Sequence, residues 1–280
     1  MIKKICFALL VVAAIQTQAQ DTTDQPISNW KKTGNISFLV NQSAFSNWIS
    51  GGDNTVSGNL GINYDFNYSK ENTTWDNKIM LAYGLNNVKG NGTRKTDDTF
   101  EFNSLYGKKA TGNWSYSFFL NFKTQFTNGY DYSSVPKVKT SAFLAPGYFS
   151  FGPGMLWKKS DNFKINLAPI TSKITMVSDE FSGSYGIDLG ENTRYEFGFN
   201  GSLNYKTILM ENITMENILN VYANYLDKPQ NMDLDYQLNF VMQINKYVST
   251  NLNFHAIVDD NATSKIQFKE VFGLGVNYIF

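Results

Sequence analysis

The stretch "NLGINYDFNY" places Leu60, Ile62, Tyr64, Phe66 and Tyr68 on one parity and Asn59, Gly61, Asn63, Asp65 and Asn67 on the other. Strict alternation of this kind predicts a strand with two unlike faces, because successive side chains of a strand point to opposite sides. The pattern recurs at 75–86, 114–126, 195–205 and 234–245, and again in "VFGLGVNYIF" at 271–280. Weaker alternation marks strands near 35–45, 98–108, 141–157, 162–171, 213–225 and 248–258. Together these predict twelve strands. In the stretch 141–157, Pro146 and Pro153 each remove a ladder donor, so a bulge or a break is expected there.

The connections alternate in character. Five are tight and contain lysine: "SKENTT", "GKKATGN", "KKSDN", "KTILMEN" and "NKY". The other six include the longer "SNWISGGDN", "NVKGNGTRKTDD", the stretch 127–140 and the stretch 172–193, together with the short "LDKPQN" and "DDNATSK". Short turns on one side and longer loops on the other are the layout of an up-and-down antiparallel barrel in a bacterial outer membrane. Soluble strands typically run to five or six residues, and these are longer. Tyr68, Trp75, Tyr106, Trp114, Trp157, Phe163, Tyr205 and Tyr278 all border the turn side, which predicts one interfacial aromatic girdle.

The N-terminus fits the same location. "MIKKICFALLVVAAIQTQAQ" has Lys3 and Lys4, an apolar run, and small residues near Ala19, so 1–19 reads as a secretory signal peptide. The expected organisation is a signal peptide at 1–19, a periplasmic segment at 20–33 and a transmembrane barrel at 34–280. Cys6, the only cysteine, falls inside the signal, so no disulfide framework is expected. Phe280 resembles the terminal aromatic by which the barrel assembly machinery recognises its substrates. Outer-membrane lipids and that machinery are the expected partners, and a monomer is the expected state.

Charged residues make up only 17% of the chain, against roughly 25% in soluble domains. Without Lys3 and Lys4 there remain 22 basic and 24 acidic residues, and no basic stripe favours nucleic acid. Parity sends Asp65, Lys78, Glu101, Lys123, Arg194, Glu196, Lys206, Glu216, Asp235, His255 and Lys269 to the lumen. Both signs are mixed, which leaves two readings: a lumen cross-linked by ion pairs, or a polar path with little charge selection. Symmetric turns would set Asp65 opposite Lys78 and Lys269 opposite His255.

The stretch "NQSAFSNWISGGDNTVSGNLGINY" resembles the opening of an uncharacterised outer-membrane barrel family of Gram-negative bacteria, domain of unknown function 3078. "FLAPGYFSFGPGMLWKKSDNFKINLAPITSKITMV" resembles its middle. The resemblance implies location and fold, and no activity.

Catalytic chemistry finds little support. His255 is the only histidine, and it lies between Phe254 and Ala256, which carry the lipid-facing parity. In twelve-stranded outer-membrane phospholipases the catalytic set faces lipid, so an inward His255 argues against a lipid-modifying enzyme. No Gly-x-Ser-x-Gly elbow, metal-spaced His/Cys cluster or P-loop is present, and no cofactor is expected. Twelve strands spaced ~4.8 Å and tilted ~40° enclose a circular section of roughly 12 Å backbone radius, and inward side chains take about half of it. The expected function is a narrow channel or small-solute uptake pore in the outer membrane. The alternative is a non-conducting barrel that displays its loops for binding or envelope integrity. The stretch 172–193, with Phe181 and Tyr185, is expected to fold in and narrow the mouth.

Overall fold

The computed structural model describes residues 28–44 and 54–280. The signal segment with Cys6, most of the 20–33 segment and most of the connection "SNWISGGDN" lie outside them. The first five strands are β1 (Trp30–Ser43), β2 (Thr55–Lys70), β3 (Thr73–Val88), β4 (Gly92–Thr111) and β5 (Trp114–Thr124). A small hairpin follows, β6 (Gly129–Asp131) and β7 (Val138–Ser141). Then come β8 (Gly147–Ser160), β9 (Phe163–Met176), β10 (Thr193–Met210) and β11 (Ile213–Asn224). The last three are β12 (Met232–Gln243), β13 (Val248–Asp259) and β14 (Thr263–Ile279). Twelve of these close into one antiparallel barrel in the order β1-β14-β13-β12-β11-β10-β9-β8-β5-β4-β3-β2, and β6 pairs with β7 outside it.

Burial is inverted relative to a soluble domain. Phe272, Leu274 and Val276 face outward at 54%, 54% and 55% exposure, while Gly273, Gly275 and Asn277 on the opposite parity are buried. Glu101, Glu196, Asn251 and other polar side chains are buried inside the ring. The alternation in the sequence is therefore apolar out and polar in.

Several boundaries differ from the sequence-based expectation. β1 starts at Trp30, so residues 30–33 are strand and not a segment preceding the barrel. The polar stretch "NVKGNGTRKTDD" is not a long loop. β3 and β4 run on to Val88 and Gly92 and meet in a tight turn, which Gly90 and Gly92 allow with φ of 90° and 76°. Ladder hydrogen bonds need no apolar face, so a hairpin continues where alternation fades. β9 likewise extends to Met176, which places Lys173 in the wall.

The proline-bearing stretch behaves as expected. Ala142 and Ala145 exchange backbone hydrogen bonds, and the barrel strand starts only at Gly147, after Pro146. At Pro153 the pairing of β8 with β9 jumps from Phe151–Ser172 to Met155–Leu167. Here a Cβ on Gly154 would stand 2.5 Å from the carbonyl oxygen of Leu167, so the strands approach closely where the ladder is interrupted.

Outside the barrel the β5–β8 and β9–β10 connections pack together. Ala145, Val177, Phe181 and Ile187 form a small apolar core with Ala142 and Tyr185 against it. Tyr185 Oη donates to the Thr140 carbonyl at 2.5 Å, and burial pushes its phenol above the usual range.

β1 and β14 close the ring, paired from Asn35–Ile279 to Val40–Leu274. Gly34 and Phe280 then exchange two backbone hydrogen bonds, of 2.7 and 3.0 Å. The Phe280 ring covers Gly34 and stacks near Tyr64 and Tyr278, at 6.2 and 5.9 Å between centroids. A Cβ on Gly34 would occupy the volume of that ring. Gly34→Ala is expected to destabilise the closed barrel by about 1–3 kcal/mol, the usual cost of overpacking. Gly58→Ala on β2 is the control, because its Cβ would meet only ordinary contacts at 3.6 Å. The urea midpoint of the compact band in heat-modifiability gels measures both. Equal midpoints would show that the Phe280 ring does not clasp the seam.

Candidate functional site: the lumen

The inward parity of each barrel strand delivers the charged residues to one interior. Asp65 and Lys78 are directly opposite on β2 and β3, as are His255 and Lys269 on β13 and β14. The side chains, however, reach past these neighbours. Lys78 Nζ lies 3.8 Å from Glu216 Oε1 on β11, which also accepts from Asn204 at 3.1 Å. Lys123 Nζ on β5 binds Asp235 Oδ2 on β12 at 2.9 Å, and His255 Nε2 holds the other oxygen of Asp235 at 2.8 Å. Lys269 Nζ reaches Asp97 Oδ1 on β4 at 3.0 Å.

Nearer the loop end, Arg194 Nη2 contacts Glu196 Oε1 at 3.5 Å and Asp227 Oδ2 at 3.4 Å. Its Nη1 donates to Asn261 Oδ1 at 2.7 Å and to the Gly186 carbonyl at 3.1 Å. The connection between β9 and β10 is thus tied to Arg194 through Gly186, while Phe181 and Tyr185 pack on the β5–β8 connection. Glu101 is buried and accepts from Asn103 and Asn121 at 2.9 and 3.0 Å. Lys206 stands opposite Glu216 in register, and its side chain is exposed.

Sequence reasoning missed several members of this lattice. Asp76 draws Lys158 and Lys164 to 3.5 and 3.2 Å near the turn end. Lys173 joins Asp233 at 2.8 Å and Glu196 at 3.5 Å. Asp76 shares the inward parity of Lys78 and was legible. Lys173 was hidden because its segment reads as a connection. In the turn beside Lys158, Asp161 is held below the ordinary carboxylate range by its hydrogen bond to that lysine.

The ion pairs also fix the shape of the bore. Opposite walls of a circular section would stand roughly 24 Å apart, beyond the joint reach of two side chains. β3 and β11 are six places apart in the ring of twelve, and β5 and β12 are five, yet Lys78–Glu216 and Lys123–Asp235 meet. The section is therefore flattened, and the circular estimate is corrected. A lumen cross-linked by ion pairs is what the side chains build.

Asp233, Asp259 and Asp260 bring carboxylate oxygens within 4.8 Å of one another at the mouth. Lys173 binds Asp233 and Asn231 donates to Asp260 at 2.6 Å, so this acidic group already has internal partners.

The expected aromatics occupy the turn end of the outward face. Tyr68, Trp75 and Tyr106 follow one another across β2, β3 and β4, and Trp114 sits opposite Trp157. Phe163 packs edge-on against Trp157 and Tyr205, both at 5.6 Å. Trp30 extends the row, 5.3 Å from Tyr68 and 5.9 Å from Trp75, and was missed because its segment was assigned outside the barrel.

Residues 40–130 match the family model described as "Protein of unknown function (DUF3078)". The match contains the stretch 41–64 quoted above and stops before the stretch 143–177. No curated protein matches the chain. Among solved structures, the chain is similar to an outer membrane channel from Pseudomonas putida F1, with a TM-score of 0.39 and 9% identity over 94% of this chain and 99% of that one. The outer membrane channel DcaP of Acinetobacter baumannii gives 0.36 and 9% over 90% and 97%. The translocator domain of the autotransporter NalP from Neisseria meningitidis gives 0.31 and 11% over 99% and 98%.

Proposed function

We propose that this chain is an integral outer-membrane β-barrel that serves as a narrow channel for small solutes. The observation that carries the proposal is the inverted burial. A closed sheet with exposed Phe38, Phe118, Phe272 and Leu274 outside and buried Glu101, Glu196 and Asn251 inside suits lipid around a polar conduit. The turn-end row of Trp and Tyr suits the headgroup level. Lipids of the outer membrane and the barrel assembly machinery are then its partners, and it acts as a monomer. His255 serves the lumen lattice through Asp235, which leaves the hydrolase reading without a lipid-facing base.

A second reading has its own support. The Lys123–Asp235 and Lys78–Glu216 bridges span the narrow dimension, as in a barrel that is braced and does not conduct. Single-channel recording on refolded protein in a planar bilayer separates the two. The channel reading expects small unitary steps and a reversal potential near zero under a salt gradient, because the lumen charges are mutually paired. Folded protein without any conductance would leave the braced, loop-displaying barrel in its place.

A further inference from the structure

The lysines of the wall divide by face. The inward Lys78, Lys123, Lys173 and Lys269 each meet a carboxylate. Lys70 and Lys108, from the turns "SKENTT" and "GKKATGN", share the outward parity of Tyr68 and Tyr106 and are exposed. Among the described residues neither has an ion pair or a side-chain hydrogen bond. Glu71, the acid next to Lys70 in the chain, lies on the other side of the wall. With Thr74 and Lys109 it lines a lumen-side cavity of about 200 Å³ that the buried Leu156 also borders.

The two outward lysines belong to one cross-strand row. Lys70 pairs with Thr73 and Thr73 with Lys108, so β2, β3 and β4 present Lys, Thr and Lys side by side. Tyr116 on β5 stands next in the row, opposite Lys108. Two residues further into the barrel, Tyr68, Trp75 and Tyr106 form a parallel row. Trp75 Nε1 donates to Ser104 Oγ at 2.8 Å, which holds its ring on the wall. The outward face thus sets two unpaired ammonium groups, with the unpartnered Thr73 hydroxyl between them, on the turn-end side of three aromatic rings. Neighbouring strands lie ~4.8 Å apart, so the two lysine backbones stand about 10 Å from each other with Thr73 midway.

We infer that this patch binds the headgroup of an anionic glycerophospholipid in the leaflet at the turn end. This rests on the membrane placement proposed above and not on conduction. Two ammonium groups on flexible stems reach one phosphate from either side, and the Thr73 hydroxyl donates to it between them. The aromatic rings sit at headgroup level, where the glycerol and the first acyl carbons of the same molecule pass over them. A free phosphate would engage the lysines and leave the rings unused, whereas a lipid engages both. A zwitterionic lipid carries its own ammonium group beside the phosphate, so a headgroup of net negative charge is favoured.

The test is quenching of tryptophan fluorescence by lipids brominated on their acyl chains, with the refolded full barrel in phosphatidylcholine vesicles. Trp30, Trp48, Trp114 and Trp157 are replaced by Phe, so that Trp75 alone reports. If that background gives no compact band, the natural set serves, since Trp30, Trp75, Trp114 and Trp157 all lie in the turn-end aromatic row. Brominated phosphatidylglycerol should associate beside Trp75 roughly fivefold more strongly than brominated phosphatidylcholine, the size expected from one lysine at an anionic surface. Lys70→Gln with Lys108→Gln should bring the ratio close to one. Lys31→Gln with Lys109→Gln removes the same charge from the inward parity, opposite Asn67 and Ser115, and should leave the ratio within about twofold. Inorganic phosphate at matched ionic strength should leave it unchanged. Loss of the preference in phosphate would make the row a site for the free anion and overturn the lipid assignment. Equal association of the two lipids with the unsubstituted row, or equal loss in the two double variants, would overturn it as well and leave the membrane placement standing. A compact barrel whose tryptophans neither lipid quenches would remove that placement, and this inference with it.

Discussion

Leu238→Arg is expected to prevent recovery of the compact barrel under conditions in which Asn239→Arg still folds. Leu238 lies on the outward parity of β12, opposite Asn217 on β11 and Phe254 on β13. Phe254 in turn stacks with Phe268 at 6.2 Å, so the surroundings are mainly apolar, with Asn217 and Glu270, the latter opposite Phe254, as the polar members of this face. An arginine near the middle of a lipid-facing strand costs roughly 2–4 kcal/mol, a large share of the stability of an ordinary fold. Asn239 has the opposite setting. Its Oδ1 accepts from Asn253 Nδ2 at 2.8 Å, and its cross-strand partner on β11 is Glu216. An arginine there loses one amide contact and gains a carboxylate neighbour. Heat-modifiable gel migration after refolding into detergent, followed by urea titration, reads the difference. Equal losses would mean that the outward face is not solvated by lipid, or that β12 is one residue out of register.

The contrast between neighbouring positions also marks what the sequence could reveal. Lipid and lumen are different solvents, so each strand that crosses between them must alternate, and all twelve crossings are legible. Where the sheet rises beyond that boundary, water bathes both faces and the requirement lapses. That is why the hairpin through Gly90 and Gly92 reads as a loop though its ladder is continuous. Parity gives the face of a charge but not its partner. Asp65 and Lys78 are opposite as expected, yet the lysine binds Glu216 across the bore. His255 and Lys269 are opposite as well, and two groups of like tendency turn to separate carboxylates, Asp235 and Asp97. The flattening that makes those contacts possible belongs to the closed ring, and no local pattern encodes it.

Removing both ends of the central bridge, Lys123→Ala with Asp235→Ala, is expected to raise conductance severalfold and shift the reversal potential toward cations. The pair spans the narrow dimension, so its loss joins the two parts of the bore. Glu101, opposite Lys123 on β4, then has no lysine facing it and adds negative charge to the path. Stability separates a genuine bridge from a coincidence of side chains. The two groups are about three-quarters shielded, at 27% and 24% exposure. Their coupling should therefore fall between the ~1 kcal/mol of a surface pair and the roughly 3–5 kcal/mol lost when a buried pair is halved. Asp235→Ala alone strands Lys123 and leaves His255 without its acceptor. The double variant should then lose less stability than the sum of the two single losses, by about 2 kcal/mol. Reversing Lys123 to Glu is a harsher test, since it sets a third carboxylate beside Asp235 and Glu101, and the barrel should then fold poorly. Urea titration of the four members of the cycle and bilayer recordings of wild type and double variant supply the numbers. Strict additivity would show that Lys123 and Asp235 do not meet. Coupling with unchanged conductance would show that the bridge braces the wall without obstructing the solute path.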